Sequence, residues 1–182
     1  MTVRIYLSNL SLYVEGKENG RWLQLPMDSN KLQYFYHEIV GYNQEHIILD
    51  YNAAFKIHEY ENVFELNEML EEILGYNLEE NKLKALFKIG LDRDEIFGAL
   101  INGSFDIIDV NEVSAGWNSS FIPEEIYGMV LNEVGYNNLF SQPIPEEMID
   151  YINFEQIYIC LSINDGWQPV EVDKTTYLVR IY

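Results

Sequence analysis

The sequence predicts an α+β protein in three parts. These are a small N-terminal mixed β unit over residues 1–60, a helical middle over 61–103, and a C-terminal helix-plus-strand unit over 104–182. Three observations carry this. Much of 3–14 alternates apolar and polar positions and is rich in β-branched and aromatic side chains, the period-two pattern of a half-buried strand. Residues 62–103 instead repeat apolar positions at spacings of three and four, with glycines closing the runs. The tail returns to strand-like composition after two proline-opened helical stretches. Of the 182 residues, 48% are hydrophobic and 14% aromatic, far too apolar for a disordered acidic tail. The chain should therefore fold around a core.

In order, Val3, Ile5 and Leu7 face one side of a strand that reads on to Val14, and a turn follows at Glu15-Gly16-Lys17. Arg21–Pro26 is a second short strand, closed by its proline. Asp28–Gly41 reads as a helix with Leu32, Phe35, Tyr36 and Ile39 on one face, and Glu45–Tyr51 and Phe55–His58 as further strands. Asn62 followed by Glu65 is a capping box opening a helix with Val63, Leu66, Leu70, Ile73 and Leu74 inward and Gly75 at its end. Glu79–Ile89 is a second helix, with Leu83, Leu86 and Phe87 inward and Gly90 as its stop. A third begins at Asp92 and closes at Asn102-Gly103. Phe105–Val110 reads as a short strand. Pro123 opens a helix with Ile126, Met129, Val130 and Val134 inward, and Pro145–Ile152 reads as another. From Tyr158 to Tyr182 the composition is strand-like, with turns at Asn164-Asp165-Gly166 and near Asp173-Lys174.

Charge is the outlier. Thirty Asp and Glu face eleven Lys and Arg, a formal net charge of −19. Such a chain stores self-repulsion that opposes compactness, so something other than stability favours it. Direct nucleic-acid binding needs a basic footprint and is disfavoured; a basic partner is the natural complement. The acid is also unevenly placed. His58–Asn81 holds eight Asp or Glu and no Lys or Arg, and Asp94–Asp173 holds fifteen and again none. Ordinary surfaces mix both signs. The single cysteine, Cys160, excludes an internal disulfide and lies in the apolar run Ile157–Ile163, where a buried, inert thiol is expected. The start has no apolar signal-peptide core, and no stretch approaches the roughly 18 apolar residues of a membrane span, so a cytoplasmic location is expected.

On the helix from Asn62, Glu65, Glu68 and Glu72 form one stripe opposite Leu66, Leu70 and Ile73. Their axial separations are about 4.5 and 6 Å at 1.5 Å per residue. Duplex DNA carries a charge roughly every 3.4 Å of axis per strand. Glu124-Glu125, Glu146-Glu147 and Glu79-Glu80 stand near helix starts. Acids there complement the macrodipole. That account leaves unexplained the absence of Lys and Arg expected at the matching C-terminal ends.

An enzyme is not readable. His37, His46 and His58 fall in no zinc-binding spacing, and satisfied structural histidines are expected. There is no nucleophile elbow and no glycine-rich phosphate loop. Asp92, Asp94 and Glu95 lack the later glycine and bidentate glutamate of a calcium loop. Paired carboxylates say little in a chain this acidic. No cofactor and no metal are expected.

Residues 4–26 read Arg-Ile-Tyr-Leu-Ser-Asn-Leu-Ser-Leu-Tyr-Val-Glu-Gly-Lys-Glu-Asn-Gly-Arg-Trp-Leu-Gln-Leu-Pro. With Tyr6, Asn9, Leu10, Tyr13, Glu15, Gly16, Gly20, Trp22 and Pro26 in order, the segment resembles the opening of the ArdA antirestriction proteins. Asp50-Tyr51 with Phe55, Glu65-Leu66-Asn67, Ile144-Pro145-Glu146 and Tyr151–Glu155 match further steps of that family, while 76–140 departs from it. The resemblance implies an elongated acidic homodimer, carried by conjugative elements and phages. It also implies inhibition of type I restriction–modification enzymes in the bacterial host, by carboxylates that imitate bent duplex DNA. The partner is then the basic DNA-binding groove of a restriction enzyme. A CRISPR effector such as Cas9, blocked where it reads its PAM duplex, is the alternative target. Two other classes stay open: a non-defence acidic interaction module, and a small hydrolase using a carboxylate pair. The acids nominated as partner-binding are Glu65, Glu68, Glu72, Asp106, Asp109, Glu112, Glu124, Glu125, Glu146, Glu147 and Asp150.

Overall fold

The computed structural model describes residues 3–17, 19–76, 78–117, 120–135 and 146–182. It is an α+β protein with two three-stranded antiparallel sheets, one near each end of the chain. Its residues divide into two compact units, Met1–Leu83 with Asp92–Ile101, and Lys84–Leu91 with Asn102–Tyr182.

In the first unit β1 (Val3–Asn9) is the central strand, flanked by β2 (Arg21–Leu25) and β3 (His46–Asn52). Val3 pairs with Leu25 and Ile5 with Leu23, so the alternation read from sequence puts one apolar row on the core side. α2 (Ser29–Ile39) covers that side with Leu32 and Ile39, its first turn capped by the Asp28 carboxylate, which accepts from Lys31 N at 3.0 Å. α3 (Val63–Gly75) buries Val63, Leu66, Leu70 and Ile73, and α5 (Arg93–Asn102) buries Ile96, Phe97, Ala99 and Leu100. In sequence α4 (Glu80–Lys88) lies between α3 and α5 and is divided between the two units, and Gly90 after it takes φ +84°, where a side chain would be strained.

The second unit pairs β4 (Phe105–Asp109) and β5 (Gln168–Val172) on either side of β6 (Thr175–Ile181). The β5–β6 hairpin turns through Asp173 and Lys174, both at positive φ. Two short segments follow β4: α6 (Val110–Val113) and, after a turn, α7 (Pro123–Glu133). α7 packs along α8 (Phe154–Asp165) at Gly128, where a Cβ would lie 2.0 Å from the Phe154 carbonyl oxygen. Val130, Leu131, Ile157, Leu161, Trp167 and Leu178 form the core beneath.

Four sequence expectations are corrected. The first strand stops at Asn9, whose side chain accepts from Leu12 N at 2.9 Å and caps a five-residue helix, α1 (Leu10–Val14). Phe55–His58 is not a strand. Phe55 and Ile57 are buried alternately as expected, but no ladder partner runs beside them among the described residues. Residues 154–165 are helical despite their β-branched and aromatic content: Asn153 caps the first turn, and packing against α7 outweighs propensity. Glu146–Tyr151 forms a 3-10 turn in place of an α-helix, because Glu147–Tyr151 buries no side chain that would fund a longer one. Pro145 lies outside the described residues.

Candidate functional site

Asn62 starts α3 by accepting from Phe64 N and Glu65 N at 3.1 and 3.4 Å, while its amide donates to Glu65 Oε1 at 2.8 Å. Asn67, 1% exposed, fixes the helix's rotation: it accepts from Met27 N at 2.8 Å and donates to Met27 O at 2.9 Å. With Leu66, Asn67 and Leu70 turned inward, Glu65, Glu68 and Glu72 are turned out and exposed. No basic side chain pairs with these three among the described residues. Sequence reasoning passes over Glu71, exposed on the same helix and accepting from Asn67 Nδ2 at 3.2 Å. The signal was present in the run Glu68–Glu72.

The acids of the second unit are held in several ways. Glu112, Glu147 and Asp150 are exposed; Glu124 is half-buried. Glu125 accepts from Ile122 N at 3.1 Å and closes the first turn of α7; Asp109 accepts from Glu112 N at 3.0 Å and caps α6. Both serve as caps. Asp106 differs: Arg180 Nε donates to it at 2.7 Å between half-buried side chains, so its charge is compensated. The Glu146 side chain lies outside the described residues. Sequence reasoning also passes over exposed Glu133, at the end of α7.

Capping explains only part of this distribution. The last turns of α3, α5, α7 and α8 contain no basic residue. α4 is the exception, ending on Lys88, so for Glu79-Glu80 the expected absence fails. The bases of the second unit gather on one hairpin: Lys84 lies 3.9 Å from Asp173, Lys88 donates to Glu171 O at 3.0 Å, and Arg180 holds Asp106. Glu124 reaches beyond its own surface. Tyr127 and Tyr158, with ring centroids 5.2 Å apart, have their hydroxyl pKa values raised, first by burial and then by neighbouring charge, including Glu124.

The other chemically suggestive residues are structural. His46 Nε2 donates to Glu61 O at 2.8 Å, leaving Nδ1 to accept from the Tyr36 hydroxyl at 3.0 Å. His37 stacks on Tyr42 at 4.2 Å, but its buried Nδ1 has no hydrogen-bond partner among the described residues, so the expectation of a satisfied histidine fails there. Asp92 accepts from Asp94 N, and Glu95 accepts from Asp92 N, so this pair caps α5. Arg93 bridges Glu61 and Asp94 and lies over Phe55 and Phe97. Cys160 is half-buried and free, its Sγ accepting from Gln156 Nε2 at 3.6 Å. Among the described residues no cluster of His, Cys, Asp and Glu is arranged to hold a metal, and no helix is long and apolar enough to cross a membrane.

Several residues of the N-terminal segment are scaffold. Buried Asn9 donates to Val40 O at 2.5 Å as well as capping α1. Asn19 Oδ1 accepts from Ser8 Oγ and Asn9 N, and its amide donates to Ile39 O, tying β1 to the end of α2. Gly20 is required because a Cβ there would lie 2.4 Å from the Tyr6 ring, itself packed edge-on against Trp22.

Compared with individual curated proteins, the chain has no significant match. A family model described as antirestriction protein (ArdA) matches residues 5–173, nearly the whole chain, including the stretch 76–140 where no motif is legible. The chain therefore belongs to the ArdA antirestriction protein family.

Proposed function

We propose that the protein inhibits a type I restriction–modification enzyme by occupying its DNA-binding groove as an acidic substitute for duplex DNA. The observation that carries this is the row Glu65, Glu68 and Glu72: exposed, unmatched by any base among the described residues, and held in register by a buried asparagine behind it. Carboxylates on a fixed scaffold need little reordering to meet lysines and arginines of a DNA channel, and long-range attraction speeds the encounter. The second unit carries its own acids, Glu112, Glu124, Glu125, Glu147 and Asp150, with Asp109 contributing through its cap position and Glu146 by sequence. A homodimer in the bacterial cytoplasm, the form the family resemblance implies, doubles that surface. Nothing in this reading requires catalysis by the protein itself.

The test is a DNA-cleavage assay with a purified type I enzyme and graded amounts of the protein. Inhibition that is overcome by excess unlabelled duplex supports substitution for DNA. Full cleavage at molar excess of the protein rejects the reading. A parallel Cas9 reaction identifies the target: inhibition there alone retains the mimicry and replaces the enzyme.

A further inference from the structure

We propose that the free edge of β2 is a docking site for an acidic, extended peptide segment of a partner protein, which adds to the first sheet as a fourth strand. Among the described residues β2 is an edge strand whose ladder runs to β1 alone, so alternate backbone groups of Arg21–Leu25 face away from the sheet. A cleft of about 390 Å³ follows this edge, lined by Arg21, Trp22, Gln24, Lys31 and Phe35 among others. Cations stand on both sides of it. On the face covered by α2, the Arg21 guanidinium and the Lys31 ammonium lie 5.8 and 5.9 Å from the centre of the Phe35 ring. On the opposite face, where the register pairs Arg4 with Gln24 and Tyr6 with Trp22, Arg4 lies 5.0 Å over Trp22. A strand laid along β2 alternates its side chains between these faces. Carboxylates on it meet Lys31 on one side, where Arg21 is already paired with Glu38, and Arg4 on the other, and apolar residues reach Phe35 and Trp22.

Charge distribution favours this occupant. Five of the eleven bases precede residue 58, where they nearly balance six acids; over the remaining chain acid prevails by a wide margin. Charge of either sign blunts an exposed strand edge against unwanted pairing. This chain uses acid almost everywhere else, so protection alone does not account for cations here. Nucleic acid is the poorer fit. It requires a broad basic footprint, and of the three cations Arg21 is already 2.9 Å from Glu38. A short peptide needs only local attraction, and at physiological salt a Debye length of about 8 Å screens the distant acids. The site uses none of the acids assigned to enzyme inhibition, so each stands or falls without the other.

The experiment titrates the full-length protein with a synthetic peptide of alternating Glu and Val, following backbone amide shifts and exchange by NMR. Three comparison probes are the same peptide with Gln for Glu, the same peptide N-methylated at alternate nitrogens, and an oligo-dT strand. The expected result is saturable binding with slowed exchange at Arg21–Leu25. Affinity should fall about tenfold or more for either modified peptide and for Lys31→Glu, a change on an exposed helix position that preserves the fold. Equal binding of the N-methylated peptide overturns strand addition, and equal binding of the Gln peptide overturns the charge requirement. Shifts at β2 with oligo-dT in place of the peptide overturn the assignment to a protein partner. No binding of the acidic peptide at millimolar concentration overturns the proposal outright.

Discussion

Residues 4–26 and the base-free stretch 94–173 specify different things. In the first, identity is set by contact: Asn9 is buried between a cap and a carbonyl, Gly20 faces an aromatic ring, and Ile5 and Leu7 fill the sheet's inner face. In the second, many of the residues that give the region its character are carboxylates with no neighbour dictating which position they occupy. Charge on an exposed helix face tolerates a shift of position that a buried asparagine does not. This is why the family is legible by its motif in the N-terminal segment, and hardly at all over 76–140.

The comparison breaks first at Gly128, where the acid-rich region is itself sterically specified. Gly128→Ala drives a Cβ to 2.0 Å from a backbone oxygen on α8, with no flexible side chain to yield. We expect a loss of about 3 kcal/mol, read from urea unfolding. Gly20→Ala meets the Tyr6 ring, which has some freedom to move, so about 2 kcal/mol is expected.

Charge should behave the opposite way. Replacing Glu65, Glu68 and Glu72 together by Lys should weaken inhibition on the order of a hundredfold. Unfolding should move by less than about 1 kcal/mol, since exposed helix positions carry little stability. The equivalent change at Glu15 and Glu45 should weaken inhibition far less; the reverse ranking would move the inhibitory surface to the N-terminal strands. Asn67→Ala joins the two regions. It removes both bonds to Met27, costs about 2 kcal/mol, and should lower inhibition by freeing the helix that presents the stripe, although no carboxylate is lost.

The smallest effect is on pH dependence. Tyr127 and Tyr158 have folded pKa values above the ordinary 10.0. Neutral hydroxyls are thus favoured in the folded state, and their contribution is complete below pH 10 and is lost as pH rises through the elevated values. Alkaline unfolding monitored by tyrosinate absorbance should begin at higher pH in Glu124→Gln than in the unaltered protein, because losing the neighbouring charge brings the elevated values closer to 10.0, and the double Phe variant should lose this step altogether.

Much of the fold was legible because local signals agreed with tertiary ones. Asn62 with Glu65, Pro123, and glycines 90, 103 and 135 bound helices where expected, each glycine at positive φ. The misreadings came from conflicts between levels. Ile157–Ile163 looks like a strand until α7 packs against it. Phe55 and Ile57 alternate like a strand without a partner to pair with. For the site, the stripe on α3 was readable because helical periodicity and charge coincide. The compensation of Asp106 was not, because Arg180 lies 74 residues away and only the β4–β6 pairing, which sets Asp106 opposite Arg180, brings them together.

The most direct test of DNA substitution is displacement of a labelled target duplex from the type I enzyme by this protein at several salt concentrations. The account predicts complete displacement, with an apparent affinity that falls as salt rises and falls less steeply when Glu65, Glu68 and Glu72 are replaced by Lys. Inhibited cleavage with the duplex still fully bound would contradict it.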